Sequence, residues 1–442
     1  MGASFGHVEA LESSQERPRM KAAIHAALTA LLAATGVSAC GVKDNIIGLR
    51  VLAAASAGGV DNDPVSASGG RSSGGGGNSG GPAASLPSTG APTGTGDGTF
   101  RALADYSVGN GPVSVALADF NADGNLDLVT ADSNVDTVSV LLGKGDGTFG
   151  AKFEYGTGRE PYPLAIGDLD ADGKWDIVVG NGSSDTVSVL LGTGDGTFAT
   201  KVDYATADGP YSVKLGDLNG DGALDIVTAD QRSARVSVLP GRGDGTFATK
   251  LDSTTTQEPD SLVLADFDND AKLDVVTSSY SSGAVAVQFG TGDGRFGAPT
   301  DYSVAQSPQF VAVGDLNGDG KLDIATASAA AKAVSLLFGS TLGSFAKAVD
   351  RATESYPSAL ALADLNADRE LDIVATDTFA SAVSVLLGSG GGQFADKTNY
   401  RAGPHPISVA LGDLNGDSTL DIAVANYDSS SVSVLLGASA AR

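Results

Sequence analysis

Seven short loops in this chain place oxygen-bearing side chains at fixed intervals. Counting from the first Asp, positions 1, 3, 5, 7 and 9 are Asp119, Asn121, Asp123, Asn125 and Asp127 in the first loop, and Asp168, Asp170, Asp172, Lys174 and Asp176 in the second. The third has Asp217, Asn219, Asp221, Ala223 and Asp225, and the fourth Asp266, Asp268, Asp270, Lys272 and Asp274. The fifth has Asp315, Asn317, Asp319, Lys321 and Asp323. Asp364, Asn366, Asp368, Glu370 and Asp372 form the sixth, and Asp413, Asn415, Asp417, Thr419 and Asp421 the seventh. Side-chain oxygens at 1, 3, 5 and 9, with the backbone carbonyl of 7, are the hard donors that calcium takes in cages of roughly six to eight oxygens. The chemistry expected is calcium binding, at up to seven sites.

Asp and Gly also make good turns without metal. One such loop would leave that alternative open, but seven, spaced by 49 residues without an insertion or deletion, favour the metal. Position 12 is Thr130, Val179, Thr228, Thr277, Thr326, Ala375 or Val424, so the Glu of a helix–loop–helix calcium hand is missing. Gly124, Gly173, Gly222 and Gly320 at position 6 permit a sharp turn with positive φ. Ala271, Arg369 and Ser418 carry a Cβ there, so loops one, two, three and five are expected to bind most strongly.

Something must hold these loops in register. Phe100, Phe149, Phe198, Phe247, Phe296, Phe345 and Phe394 recur at the same step, mostly in Gly-Asp-Gly-Thr-Phe, as do Pro112, Pro161, Pro210, Pro259, Pro308, Pro357 and Pro406. Within a unit Val113, Val115 and Leu117 alternate before the loop, Leu126 to Thr130 follows it, Val138 to Leu142 runs to the Gly-Asp-Gly turn, and Lys152 to Tyr155 makes a fourth apolar–polar stretch. Four short strands per unit and no helical period predict an all-β fold, a seven-bladed β-propeller of four-stranded antiparallel blades. The series opens at Gly96 with the tail of a unit and closes at Gly437 with a third strand lacking its fourth. The N-terminal strand is therefore expected to complete the last blade and close the ring.

On these residues the chain resembles the FG-GAP (VCBS) repeats of bacterial surface proteins, whose blade also builds the propeller of integrin α-subunits; Phe296-Gly-Ala-Pro299 spells the name. The resemblance covers residues 95–437 and implies seven blades with calcium in the loop between the first two strands of each.

A net charge of -26 argues against nucleic acid as a partner. Much of that charge has a local origin, because 23 Asp occupy the seven loops. No nucleophile–base–orienter set is visible, with His405 the one histidine of the repeat region, so an enzyme is not expected. A glycosidase on other carboxylates is the remaining catalytic alternative. Arg242-Gly243-Asp244 spells an adhesion tripeptide, but the equivalent positions in four other units read Lys-Gly-Asp or Thr-Gly-Asp, with Leu342 and Gly391 in place of Asp in two more, and a turn is the simpler reading.

Upstream, Met20-Lys21, the apolar run from Ala22 to Gly36 and Val37-Ser-Ala-Cys40 have the order of a secretory signal, with Met20 as the true start. Val-Ser-Ala-Cys resembles a bacterial lipobox, which implies diacylation of Cys40, the sole cysteine. Residues 1–40 are read as upstream residues and signal, 41–94 as a Gly/Ser/Pro-rich linker, 95–437 as the propeller and 438–442 as a tail. The expectation is an exported, calcium-binding monomer at the cell surface, lipid-anchored at Cys40 or secreted. It binds a protein or, as the alternative, a glycan. The ligand is expected on the face of the proline loops, which carries Tyr162, Tyr211, Tyr280, Phe310, Tyr356, Phe379, His405 and Tyr427 with Arg159, Glu160, Arg232, Arg235, Glu258 and Asp260.

Overall fold

The computed structural model describes residues 94–255, 258–340 and 342–439. The signal and lipobox assigned to residues 1–40, and the linker up to 93, lie outside them. The described chain is a ring of seven four-stranded antiparallel sheets. In the first blade the strands are Pro112–Ala118, Asp127–Asp132, Thr137–Gly143 and Phe149–Gly156, in that spatial order. The next five blades repeat it, and the seventh is Pro406–Gly412, Asp421–Asn426 and Ser431–Ser439 completed by Gly96–Ser107 from the N-terminal side. That closing strand pairs antiparallel with the last strand from Gly96 opposite Ser439 to Ser107 opposite Ser431.

First strands contact one another around the axis and are mostly buried, entirely so in Pro112–Ala118. Fourth strands face solvent, as in the mostly exposed Val202–Ala205. Apolar faces of neighbouring sheets pack on each other, so the core runs continuously between blades; Val213 and Leu239 of the third blade share a cluster with Val178 and Val189 of the second. A first strand buried on both faces carries no polar–apolar signal to say where each side chain points. This overturns the placement of Phe310 on the proline-loop face: it is 1% exposed and packed between blades.

Each blade is bolted at both ends of its second strand by a buried polar residue. At the proline-loop end these are Asp132, Asn181, Asp230, Ser279, Ser328, Asp377 and Asn426, all fully buried. Ser139 donates to Asp132, Ser237 to Asp230 and Ser384 to Asp377, tying the second strand to the third. Burial pushes the Asp230 carboxyl up to about 7 against the hydrogen bonds from Ser237 and Thr228. A raised folded-state pKa means that the folded protein takes up the proton more readily than the unfolded chain. Its stabilising contribution is present below the unfolded value of 3.8 and is lost as pH rises through about 7. In chelator, Asp230→Asn, which installs the residue found at 181 and 426, should therefore stabilise the ring at pH 8 by about 2 kcal/mol relative to pH 5. Denaturant unfolding at the two pH values checks this; an equal pH dependence in variant and parent would refute it.

Candidate functional site

All seven acidic loops join the first strand of a blade to the second and lie on one face of the ring. Their internal geometry repeats closely. The position 1 carboxylate accepts the backbone N–H of position 5 at 3.1–3.2 Å. Its other oxygen accepts the N–H of position 6 at 2.7–3.0 Å. The position 3 oxygen accepts the N–H of position 5 at 2.8–3.3 Å, and position 5 accepts the N–H of position 7 at 2.8–3.0 Å. The side-chain oxygens of positions 1, 3 and 5 are thereby turned to one side of the loop.

Position 6 has positive φ in all seven loops, including Ala271 (66°), Arg369 (75°) and Ser418 (67°). A Cβ added at Gly124, Gly173, Gly222 or Gly320 would meet no heavy atom within 4 Å, so the penalty at this site is backbone strain alone. Position 4 is left-handed as well, at Ala122, Ala171, Gly220, Asn269, Gly318, Ala367 and Gly416. Sequence reasoning missed this second bend, although Gly in three loops and Asn in one are its trace.

The position 9 carboxylates are 0–1% exposed. One oxygen of each accepts the N–H of position 2 at 2.7–3.0 Å. The other accepts the N–H of a Gly near the end of the third strand, from Gly143 in the first blade to Gly437 in the seventh, at 2.7–2.8 Å. This residue is thus the second bolt of the blade as well as a candidate ligand. Burial, reinforced by repulsion from the loop carboxylates, raises Asp127, Asp176, Asp225, Asp274, Asp323 and Asp372 to about 6 and Asp421 to about 7. A divalent cation would offset that repulsion. In two loops the acids come close enough to hold one: Asp168, Asp170 and Asp172, and Asp266, Asp268 and Asp274, each set with its oxygens within 4.8 Å of one another. In the other five loops position 3 is an Asn, which offers a neutral carbonyl oxygen in place of the carboxylate. The donor chemistry fits calcium in all seven loops, with oxygen donors throughout and no sulfur or imidazole.

The Gly-Asp-Gly turns share the metal-loop face and link the loops around the ring. Gly147 donates to Leu414 O at 2.8 Å, Gly196 to Phe120 O at 3.0 Å and Gly245 to Leu169 O at 3.1 Å, each from one blade to position 2 of the preceding loop. Arg242 donates to Phe247 O at 2.6 Å and Asp244 caps the N–H of Thr246, so this tripeptide is folded onto its own turn.

The opposite face holds the proline loops and the turns between second and third strands. Tyr162 and Tyr211 stack at 4.8 Å, and Asp260 is buried against the Tyr280 N–H. Across blades six and seven, four rings form an arc: Tyr356 to Phe379 at 5.1 Å, Phe379 to His405 at 6.1 Å, and His405 to Tyr427 at 5.6 Å. Phe379 is 65% exposed. Gln309 donates to the Tyr356 hydroxyl at 2.8 Å, Tyr427 donates to Asn134 at 3.2 Å, and His405 Nδ1 lies 3.3 Å from Asp428.

Comparison with known families identifies this architecture. The FG-GAP-like repeat matches residues 119–179, 168–228, 217–277, 272–326 and 364–424, more than half of the chain. The chain belongs to the FG-GAP-like repeat family. No curated protein matches it. Among solved structures it is similar to BBS1N in complex with ARL6DN (11% identity, TM-score 0.56, 78% of this chain and 98% of that one). It is also similar to a catalytically inactive virginiamycin B lyase from Staphylococcus aureus with quinupristin (13% identity, TM-score 0.52, 76% and 99%). A lectin of Agrocybe aegerita that recognises non-reducing terminal N-acetylglucosamine is more distant in shape (19% identity, TM-score 0.47, 71% and 85%). At these identities the likenesses establish a shared fold for the first two, and the FG-GAP propeller is otherwise read from its own residues.

Proposed function

We propose that this FG-GAP propeller is a non-catalytic binding module of the cell surface. Calcium in up to seven loops stiffens one face, and the proline-loop face takes the ligand. Aspartates at positions 1, 5 and 9 with the position 3 oxygen and the position 7 carbonyl would hold each ion. Calcium supplies charge neutralisation and rigidity there. The observation that carries the ligand reading is the arc Tyr356–Phe379–His405–Tyr427, a row of rings with an exposed member on a rigid frame. The chain enters the ring on the other face, where Gly94 donates to Asp364 O and Thr95 to Ser418 O, so the N-terminal entry leaves the arc's face uncovered.

A neutral glycan is the second reading, favoured by what surrounds the arc. Asp428 beside His405 is charged, but the loops around the arc also present the uncharged Asn110, Asn134, Ser381, Ser429 and Ser430, whereas blades two to four carry Arg159, Glu160, Asp185, Arg232 and Glu258 on the same face. Rings for sugar C–H faces and amides or hydroxyls for sugar hydroxyls are the matching groups.

The test uses the full chain in millimolar calcium with a glycan array and immobilised collagen and fibronectin as probes. In a Cys40→Ser background, a polyethylene glycol chain is attached either at Ser429→Cys, on the proline-loop face, or at Lys144→Cys, on the metal-loop face; both positions are exposed. Saturable binding blocked from 429 but not from 144 is the expected result. Phe379→Leu should weaken it about tenfold, the equivalent of one lost ring contact. Binding blocked only from 144, or turnover of a probe, would overturn the reading.

A further inference from the structure

We propose that Lys174 and Lys272 are internal counter-cations of the second and fourth loops, which an entering metal ion must displace, so that these two lysines set the metal response of their sites. The inference rests on the metal reading above. Loops two and four are the ones with Asp at position 3, Asp170 and Asp268, and both carry Lys at position 7. Each therefore adds one carboxylate and one ammonium to the common pattern. The extra acid creates the two crowded sets of three carboxylates. Within each loop the ammonium sits on position 5, Lys174 on Asp172 and Lys272 on Asp270, both at 2.5 Å.

The pairing is built by the neighbouring turn. The stem of Lys174 lies across Gly194, and that of Lys272 across Gly292. A Cβ on either glycine would stand 2.8 Å from the lysine Cδ, so the turn keeps a track open for the side chain. Both glycines also have positive φ, 82° and 79°. Lys321 of loop five makes the same contact with Asp319 at 2.7 Å, but Asn317 replaces the third acid there, so less repulsion is relieved. In loop one the corresponding track, at Gly145, is occupied by the neutral Asn125.

Two opposing consequences follow. Without metal, the ammonium neutralises part of the crowded carboxylate charge and favours the folded loop. When a divalent ion arrives, the same ammonium is a like charge a few ångströms away and competes for an oxygen of position 5. Turn glycine favours loops one, two, three and five, while the lysine lowers affinity in two, four and five. Loops one and three satisfy both conditions and should fill first.

The experiment is a calorimetric titration of chelator-stripped full chain with calcium chloride, together with thermal melts in chelator and in millimolar calcium. The variant is Lys174→Met with Lys272→Met, which keeps the apolar stems over the turn glycines. Two sites should gain about tenfold in affinity. The melting temperature should fall by about 1–2 °C in chelator, as for two exposed ion pairs, and rise above the parent in calcium. Lys347→Met, an exposed lysine outside the loops, should change neither. Calcium binding by parent and variant with unchanged or lower affinity would overturn the lysine role while leaving the metal reading intact. Absence of calcium binding in both would overturn the two together.

Discussion

A full chain lacking residues 95–110 is expected to show no cooperative thermal transition, even in millimolar calcium. These residues supply the whole fourth strand of the seventh blade, eight residue pairs along Ser431–Ser439. They also supply Phe100, edge-on to Tyr400 of blade six at 5.4 Å, and Tyr106, edge-on to Phe149 of blade one at 5.1 Å. Val108 is buried in the cluster with Val115 and Leu128, and the Gly109 N–H donates to Ser139 at 3.0 Å. Eight ladder pairs and three apolar side chains sum to a loss on the order of 10 kcal/mol, comparable with the whole stability of an ordinary domain. The deletion also bares a long, apolar strand edge, so the released protein should aggregate. Circular dichroism and scanning calorimetry of the truncated protein check this. A cooperative melt within a few degrees of the parent would mean that the ring is held shut elsewhere.

The second large effect is expected at Asp225. Its two carboxylate oxygens accept the Leu218 N–H at 3.0 Å and the Gly241 N–H at 2.8 Å, both in the interior of the third blade. Asp225→Ala leaves two buried donors unsatisfied, at about 1–3 kcal/mol each, and a loss of about 4 kcal/mol is expected in chelator. In calcium the gap between parent and variant should widen, because the variant also loses a candidate metal ligand. Ala223→Ser, in the same loop at a position that contributes only its backbone, should leave stability within about 0.5 kcal/mol. Equal unfolding midpoints for Asp225→Ala and the parent in chelator would show that the bolt carries no weight.

Much of this molecule was legible in its sequence because the repeat makes each unit a control for the others. The strict step of 49 residues set the number of blades, and the phase offset between Gly96 and Gly437 set the way the ring closes. The positive φ at position 6 followed from glycine in four of the seven loops. Other features left weaker traces. The bolt at Asp132, Asp230 and Asp377 looks like any polar strand end, since its burial comes from the proline loop and the third strand folding over it, as where Gly109 lies on Asp132 and the Ser355 N–H donates to Asp377. The misplacement of Phe310 has the same origin as the burial of the first strands on both faces. The residues of the aromatic arc are visible one by one in the sequence but the arc is not, because Phe379 and Tyr427 belong to different blades and their adjacency is a property of the closed ring.

The way the chain enters the ring also bears on how it would carry load. The closing strand starts at the metal-loop face, with Gly94 and Thr95 held by loops six and seven, and runs to Ser107 at the proline-loop face. A ligand gripped on the proline-loop face and an anchor pulling on the N-terminal segment would stretch the protein along that strand. The ladder from Gly96 to Ser107 would then be sheared, its hydrogen bonds sharing the force at once, where a pull from the side would peel them one after another. Under tension, the seam that closes the circle would be loaded in its strong direction, and the lifetime of the attachment would be governed by the barrier to sliding one strand past another.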